Sequence, residues 1–157
     1  MSAASGPTVG PSRRIIVMKR LAALIAVATA AAVSAPALAG DLDFTFETGQ
    51  PTGRILVALY DSQAAYEGGA APVRQAVVEV TGPTARADFD GLADGDYAMR
   101  AFHDVNANGR MDANPFGMPV EPFAFSNNAH GHMGPAGWDQ ARVAVAGGSV
   151  AQTIVLK

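Results

Sequence analysis

The chain of 157 residues contains no cysteine. No disulfide can brace its fold, no thiol can serve as a nucleophile, and no lipidated cysteine can follow an export signal. There is no Gly-x-Ser-x-Gly elbow for a catalytic serine and no Gly-rich phosphate loop. Hydrophobic runs are short. The longest, Leu21 to Val33, is rich in alanine and falls below the roughly 20 residues of a membrane span. Basic residues are also few. All fourteen acids lie after residue 39, and four of the eleven Lys and Arg residues (Arg13, Arg14, Lys19, Arg20) lie before it. The remainder carries seven basic residues against fourteen acids, a formal charge of −7. Such an acidic surface argues against nucleic acid and anionic lipid as partners.

The N-terminal part has the three regions of a secretory signal. Met18-Lys19-Arg20 is the positive start, Leu21 to Val33 the apolar stretch, and Ala37-Leu38-Ala39 the small-residue cleavage site. The expected cut lies between Ala39 and Gly40, and Met18 is the expected initiator. The expected organisation is a signal peptide over 1–39 and one domain over 40–157, without a membrane span once the signal is removed. The destination is the periplasm or the exterior.

Residues 40–157 alternate in character with a period of two. Leu42, Phe44 and Phe46 alternate with Asp41, Asp43 and Thr45. Similar runs cover Ile55–Leu59, Ala76–Val80, Ala85–Phe89, Tyr97–Ala101, Ala141–Val145 and Val150–Leu156. The Ile55 run is apolar on both faces, as a central strand would be. Gly82-Pro83, Asp94-Gly95 and Gly147-Gly148 mark turns. Seven short strands with turns between them predict an all-β fold, a single Ig-like or prealbumin-like β-sandwich. Phe44, Phe46, Val57, Leu59, Val78, Phe89, Tyr97, Val143 and Ile154 are its expected inward residues. Asp61 to Ala71 holds one helical turn at most.

Residues 104–137 break the period. They form one long Asn/Asp/Gly-rich stretch, and loops of that length are usually functional or disordered. Within it, Asp104, Asn106, Asn108 and Asp112 fall at positions one, three, five and nine of a loop with Gly109 at position six. That is the spacing of an EF-hand calcium loop. The Arg110 carbonyl supplies position seven, and Glu121 or Asn114 completes the shell if the chain folds back after Gly117. Position twelve is Pro115, where a calcium sensor carries Glu. Two readings stay open: a modest calcium site, or a ladder of Asp and Asn side chains capping their own backbone amides.

The turn Gly91-Leu92-Ala93-Asp94-Gly95-Asp96-Tyr97 resembles that of prealbumin-like and Cna-B-like sandwiches, in which the Tyr packs at a sheet corner. With His103 to Asp112, and then Gly117-Met118-Pro119 through Asn127-Asn128, the chain resembles the bacterial domain-of-unknown-function family 2141. The resemblance covers nearly all of 40–157. It implies a small secreted β-sandwich and no particular activity. Pro122 and Ala124 stand where that family carries Gly.

Two other sets are candidates. His103, His130 and His132 would suit zinc or copper if they converged. Phe116, Phe123, Phe125 and Trp138 serve either as a stacking surface, beside Asn127 and Asn128, or as anchors for the long loop. The expected function is a non-catalytic secreted or periplasmic module that binds an envelope or extracellular ligand. The alternative is a transition-metal-handling protein or metal-dependent enzyme built on the three histidines.

Overall fold

The computed structural model describes residues 39–157. The expected signal segment from Met18 to Leu38 lies outside them. Eight strands run through the described residues: β1 (Gly40–Glu47), β2 (Arg54–Tyr60), β3 (Arg74–Glu79), β4 (Thr84–Leu92), β5 (Gly95–Asp104), β6 (Phe123–Phe125), β7 (Val143–Val145) and β8 (Ser149–Val155). One helical turn covers Ala65–Gly69, and a single-turn helix, α1, covers Trp138–Ala141. No helix among the described residues is long and apolar enough to cross a membrane.

The strands form two sheets. One has the order β4-β1-β8, with β1 antiparallel to β4 and parallel to β8. The other has the order β3-β2-β5-β6. β7 shares an edge of β5 with β6: it pairs Gly95–Tyr97, while β6 pairs Arg100–Phe102. The core lies between the sheets, where strand alternation puts it. Leu42, Phe44 and Phe46 of β1 face Ile55, Val57 and Leu59 of β2, all but sealed from solvent. Each such side chain contributes about 1.5–3 kcal/mol by leaving water.

The expected inward set holds. Val78 alone is only partly buried, because β3 is an edge strand. Ala141 departs from the expected strand 141–145. It ends α1 and packs into a second, smaller core with Tyr66, Ala98, Phe125, Ala136 and Trp138 on the outer face of the larger sheet. The loop between β4 and β5 joins different sheets, so it is a corner. Tyr97 holds it by donating its hydroxyl to the Ala93 carbonyl at 2.9 Å.

Asn127 and Asn128 knit β8 to the other sheet. The Asn127 amide donates to the carbonyls of Gln140 and Arg142. Asn128 donates to the Thr153 carbonyl and accepts the Val155 N–H. The Asn128 side chain occupies backbone groups of β8 that β1 leaves free, and so blunts an edge that could otherwise pair with another chain, while Asn127 reaches β8 through the Gln152 side chain. They are engaged in the fold rather than held out for a ligand.

Candidate functional site

β5 ends in a fully buried Asp104, and its register places Arg54 of β2 directly opposite. The pair is 3.4 Å apart. Asp104 then organises the loop. Its two carboxylate oxygens accept the N–H groups of Asn108 at 2.9 Å and Gly109 at 2.8 Å. Burial alone would raise its pKa. The two amides and the Arg54 guanidinium outweigh that effect, and the net shift is downward. The loop start also packs closely on Gly53. A Cβ there would meet the Asp104 carbonyl oxygen and stand 2.7 Å from the Val105 Cα.

The remaining candidates continue the ladder. Asn106 Oδ1 accepts the Asn108 N–H, and Asn108 Oδ1 accepts the Arg110 N–H. Both amide NH₂ groups turn toward Asp112: Asn106 Nδ2 lies 2.7 Å from it, and Asn108 Nδ2 lies 3.0 Å from each oxygen. Glu121 does fold back, and is buried. Its Oε1 accepts the Val105 N–H and its Oε2 the Asp112 N–H, both at 3.0 Å. The structure thus brings together all six residues expected at the site, with Arg110 taking part through its backbone.

A calcium ion requires six to eight oxygens aimed at one point. Here Asp104 and Glu121 face backbone N–H groups, and Asp112 faces two side-chain NH₂ groups. A cation at Asp112 would have to displace both asparagine amides. Among the described residues, no cluster of three or more His, Asp or Glu side chains could hold a metal ion. The donor set fits a loop closed by its own hydrogen bonds.

That loop supports a short hairpin. Val120 N–H bonds to the Asp112 carbonyl, and Asn114 N–H to the Met118 carbonyl. Asn114 Oδ1 accepts the N–H groups of Phe116 and Met118 and tightens the tip. Glu121 ties the base. The departure at Pro122 and Ala124 agrees with an extended chain: the Pro122 carbonyl accepts the His103 N–H, and Ala124 pairs with Ala101 in β6.

The hairpin walls one side of a trough of about 1130 Å³ on the outer face of the larger sheet. The floor is set by register. Val77, Leu56, Phe102 and Phe123 lie side by side across β3, β2, β5 and β6. The next row is Gln75, Ala58, Arg100 and Phe125. Met118 and Pro119 of the hairpin form one wall, and Met133 to Pro135 another. Val77 is 60% exposed, Met118 59% and Met133 99%. A contiguous apolar concavity of this size is uncommon on the surface of a small domain.

Among the described residues, Arg100 is the one charged side chain lining the trough. Its guanidinium carbon lies 4.2 Å from the Tyr66 ring centroid and 5.7 Å from that of Tyr60. Among the described residues no carboxylate pairs with it, and its Nε is buried without an acceptor. The Tyr66 hydroxyl donates to the Ala136 carbonyl at 2.9 Å, and burial raises its pKa against the opposing pull of Arg100.

The three histidines do not converge. His103 is fully buried on the inward face of β5, with its Nε2 2.6 Å from the Thr52 carbonyl. His130 and His132 are exposed, and His130 lines a cavity of about 150 Å³ that adjoins the trough at Phe123, Phe125 and Gly134. The four aromatic candidates divide. Phe125 and Trp138 are buried anchors, Phe123 lies in the trough floor, and Phe116 projects from the hairpin tip at 88% exposure.

Sequence reasoning missed the trough and Arg100. One signal was present: β2 is apolar on both faces. Central position explains its inward residues, Ile55, Val57 and Leu59; of the outward ones Tyr60 packs on the second core, while Leu56 and Ala58 are left to line the trough.

No curated protein and no solved structure matches this chain. The bacterial family DUF2141, described as "Uncharacterized protein conserved in bacteria", matches residues 47–153, from the end of β1 into β8. That span takes in the sheet, the Asp104 loop and the hairpin alike, and the chain belongs to this family.

Proposed function

We propose that this protein is an exported, non-catalytic binding module, working in the periplasm or outside the cell. Its binding face is the trough on the larger sheet. The observation that carries this reading is the row Val77–Leu56–Phe102–Phe123, left open between two methionine-bearing walls. Rows of apolar side chains on a strand face are normally covered. Here the Asp104 loop and its hairpin rise beside the row without closing over it. The loop serves as a scaffold that holds one wall through its own hydrogen bonds, and calcium is not needed for that role.

The test is binding of a neutral apolar dye such as Nile red. Saturable binding is expected, weakened about tenfold by Val77→Lys or Met118→Lys, since a charge in an apolar site costs more than 1.4 kcal/mol. Both residues are well exposed, so folding should survive. Ala151→Lys, an exposed position of β8 on the other sheet, is the control and should bind as the parent does. If all three variants bind alike, the trough is not the site.

A further inference from the structure

The trough's lining is mostly apolar and, among the described residues, carries one charge. Arg100 lies in its floor, in the row Gln75–Ala58–Arg100–Phe125, beside the apolar row Val77–Leu56–Phe102–Phe123. A guanidinium is always charged and offers five N–H donors in a planar fork. Arg100 presents this fork with no carboxylate partner among the described residues and with a buried Nε that meets no acceptor. The rings of Tyr66 and Tyr60 hold the group by cation–π contact and fix its place. The Tyr66 hydroxyl also meets the group, which still leaves donors of the five-fold fork for a ligand.

We infer that the trough takes a single-chain amphiphile with a carboxylate head, a fatty acid or a close analogue. The carboxylate sits on the Arg100 fork, and the apolar tail lies along the Leu56–Phe102 row under Met118. This rests on the trough being the binding face. Charge complementarity selects the head group. Arg100 is the sole charge in the lining among the described residues, so it balances one negative charge. A phosphate monoester, carrying about −1.5 to −2 near neutral pH, would keep uncompensated charge in an apolar setting. A carboxylate matches the fork with two parallel hydrogen bonds. The volume of about 1130 Å³ lies a little above the roughly 300–1,000 Å³ of common small-molecule sites, so it leaves room for an extended alkyl chain.

Calorimetric titration of the folded protein with dodecanoate, dodecanol and dodecyltrimethylammonium tests this. Dodecanoate should bind at least about tenfold more tightly than dodecanol, as a charge-assisted pair allows, and the cation more weakly than either. Arg100→Gln should erase the difference between acid and alcohol, while Arg100→Lys should retain part of it. A second reading in the parent protein covers the case in which Arg100→Gln does not fold. The Arg100 Nε–H signal in a ¹⁵N NMR spectrum should move on adding dodecanoate and stay in place with dodecanol. Equal binding of acid and alcohol overturns the head-group inference and leaves the trough reading intact. A preference that survives Arg100→Gln, or an unmoved Nε–H signal, overturns the placement on Arg100. Binding of none of the three removes the trough reading as well.

Discussion

Glu121 holds Asp112 by its backbone: Oε2 accepts the Asp112 N–H at 3.0 Å, while the Asp112 side chain turns to Asn106 and Asn108. The same carboxylate takes the Val105 N–H on its other oxygen. One buried side chain thus closes the Asp104 loop and ties down the hairpin that walls the trough.

Glu121→Ala should therefore cost about 1–3 kcal/mol, because two partly buried amides lose their acceptor. The measurement is urea denaturation together with amide exchange. Faster exchange should be confined to Val105 and residues 112–120, with the sandwich strands unaffected. Unchanged stability and exchange would mean that the hairpin stands without this tie.

Asp104 supplies a pH signature. Its pKa in the fold lies below the ordinary 3.8, since the amides of Gly109 and Asn108 and the charge of Arg54 outweigh burial. A carboxyl depressed in this way adds stability that is fully present above its unfolded pKa and is lost as pH falls through its folded value. Asp104→Asn should be less stable than the parent at pH 7, by about 1–3 kcal/mol. Below about pH 3.8 the gap should narrow as the parent loses the contribution. A gap that stays constant down to pH 2 would show that Asp104 does not titrate with folding.

Calcium separates the two readings of the loop. A ligand bound only by the native state raises the melting temperature by mass action. The loop closes on its own amides, so millimolar calcium should leave the melting temperature of the protein unchanged. A rise that disappears in Asp112→Asn would show that the ion displaces Asn106 and Asn108 and builds a site there.

The inner face is tested by charge. Val57 and Ile154 are sealed in the core, from opposite sheets. Val57→Asp or Ile154→Asp should destabilise by several kcal/mol, because an unpaired carboxylate cannot be hydrated there. Thermal melts within a few degrees of the parent would contradict the burial described.

The sandwich was legible in the sequence because strand period is a local property. Phe44 and Phe46 are separated by Thr45 whatever the rest of the chain does. β6 was not legible: three residues cannot display a period, and Phe123–Phe125 form a strand only because β5 offers a free edge. The composition of the Asp104 loop was legible, and so was the return of Glu121. Which way the asparagine amides turn was not, since that depends on the N–H groups around them. The trough was invisible for a further reason. It is made by cross-strand register, which sets Val77 beside Leu56 and Phe102 beside Phe123 across long separations in sequence.

The methionines give the most direct test that the trough is the binding face. Met111, Met118 and Met133 line it, whereas Met99 is fully buried between the sheets and serves as an internal control. Methyl NMR of protein labelled at the methionine ε-carbon is recorded during titration with dodecanoate. Saturable shifts of Met111, Met118 and Met133, with Met99 fixed, are the expected result. No saturable shift in those three, or a shift of Met99 as large as theirs, would contradict a binding trough on this sheet.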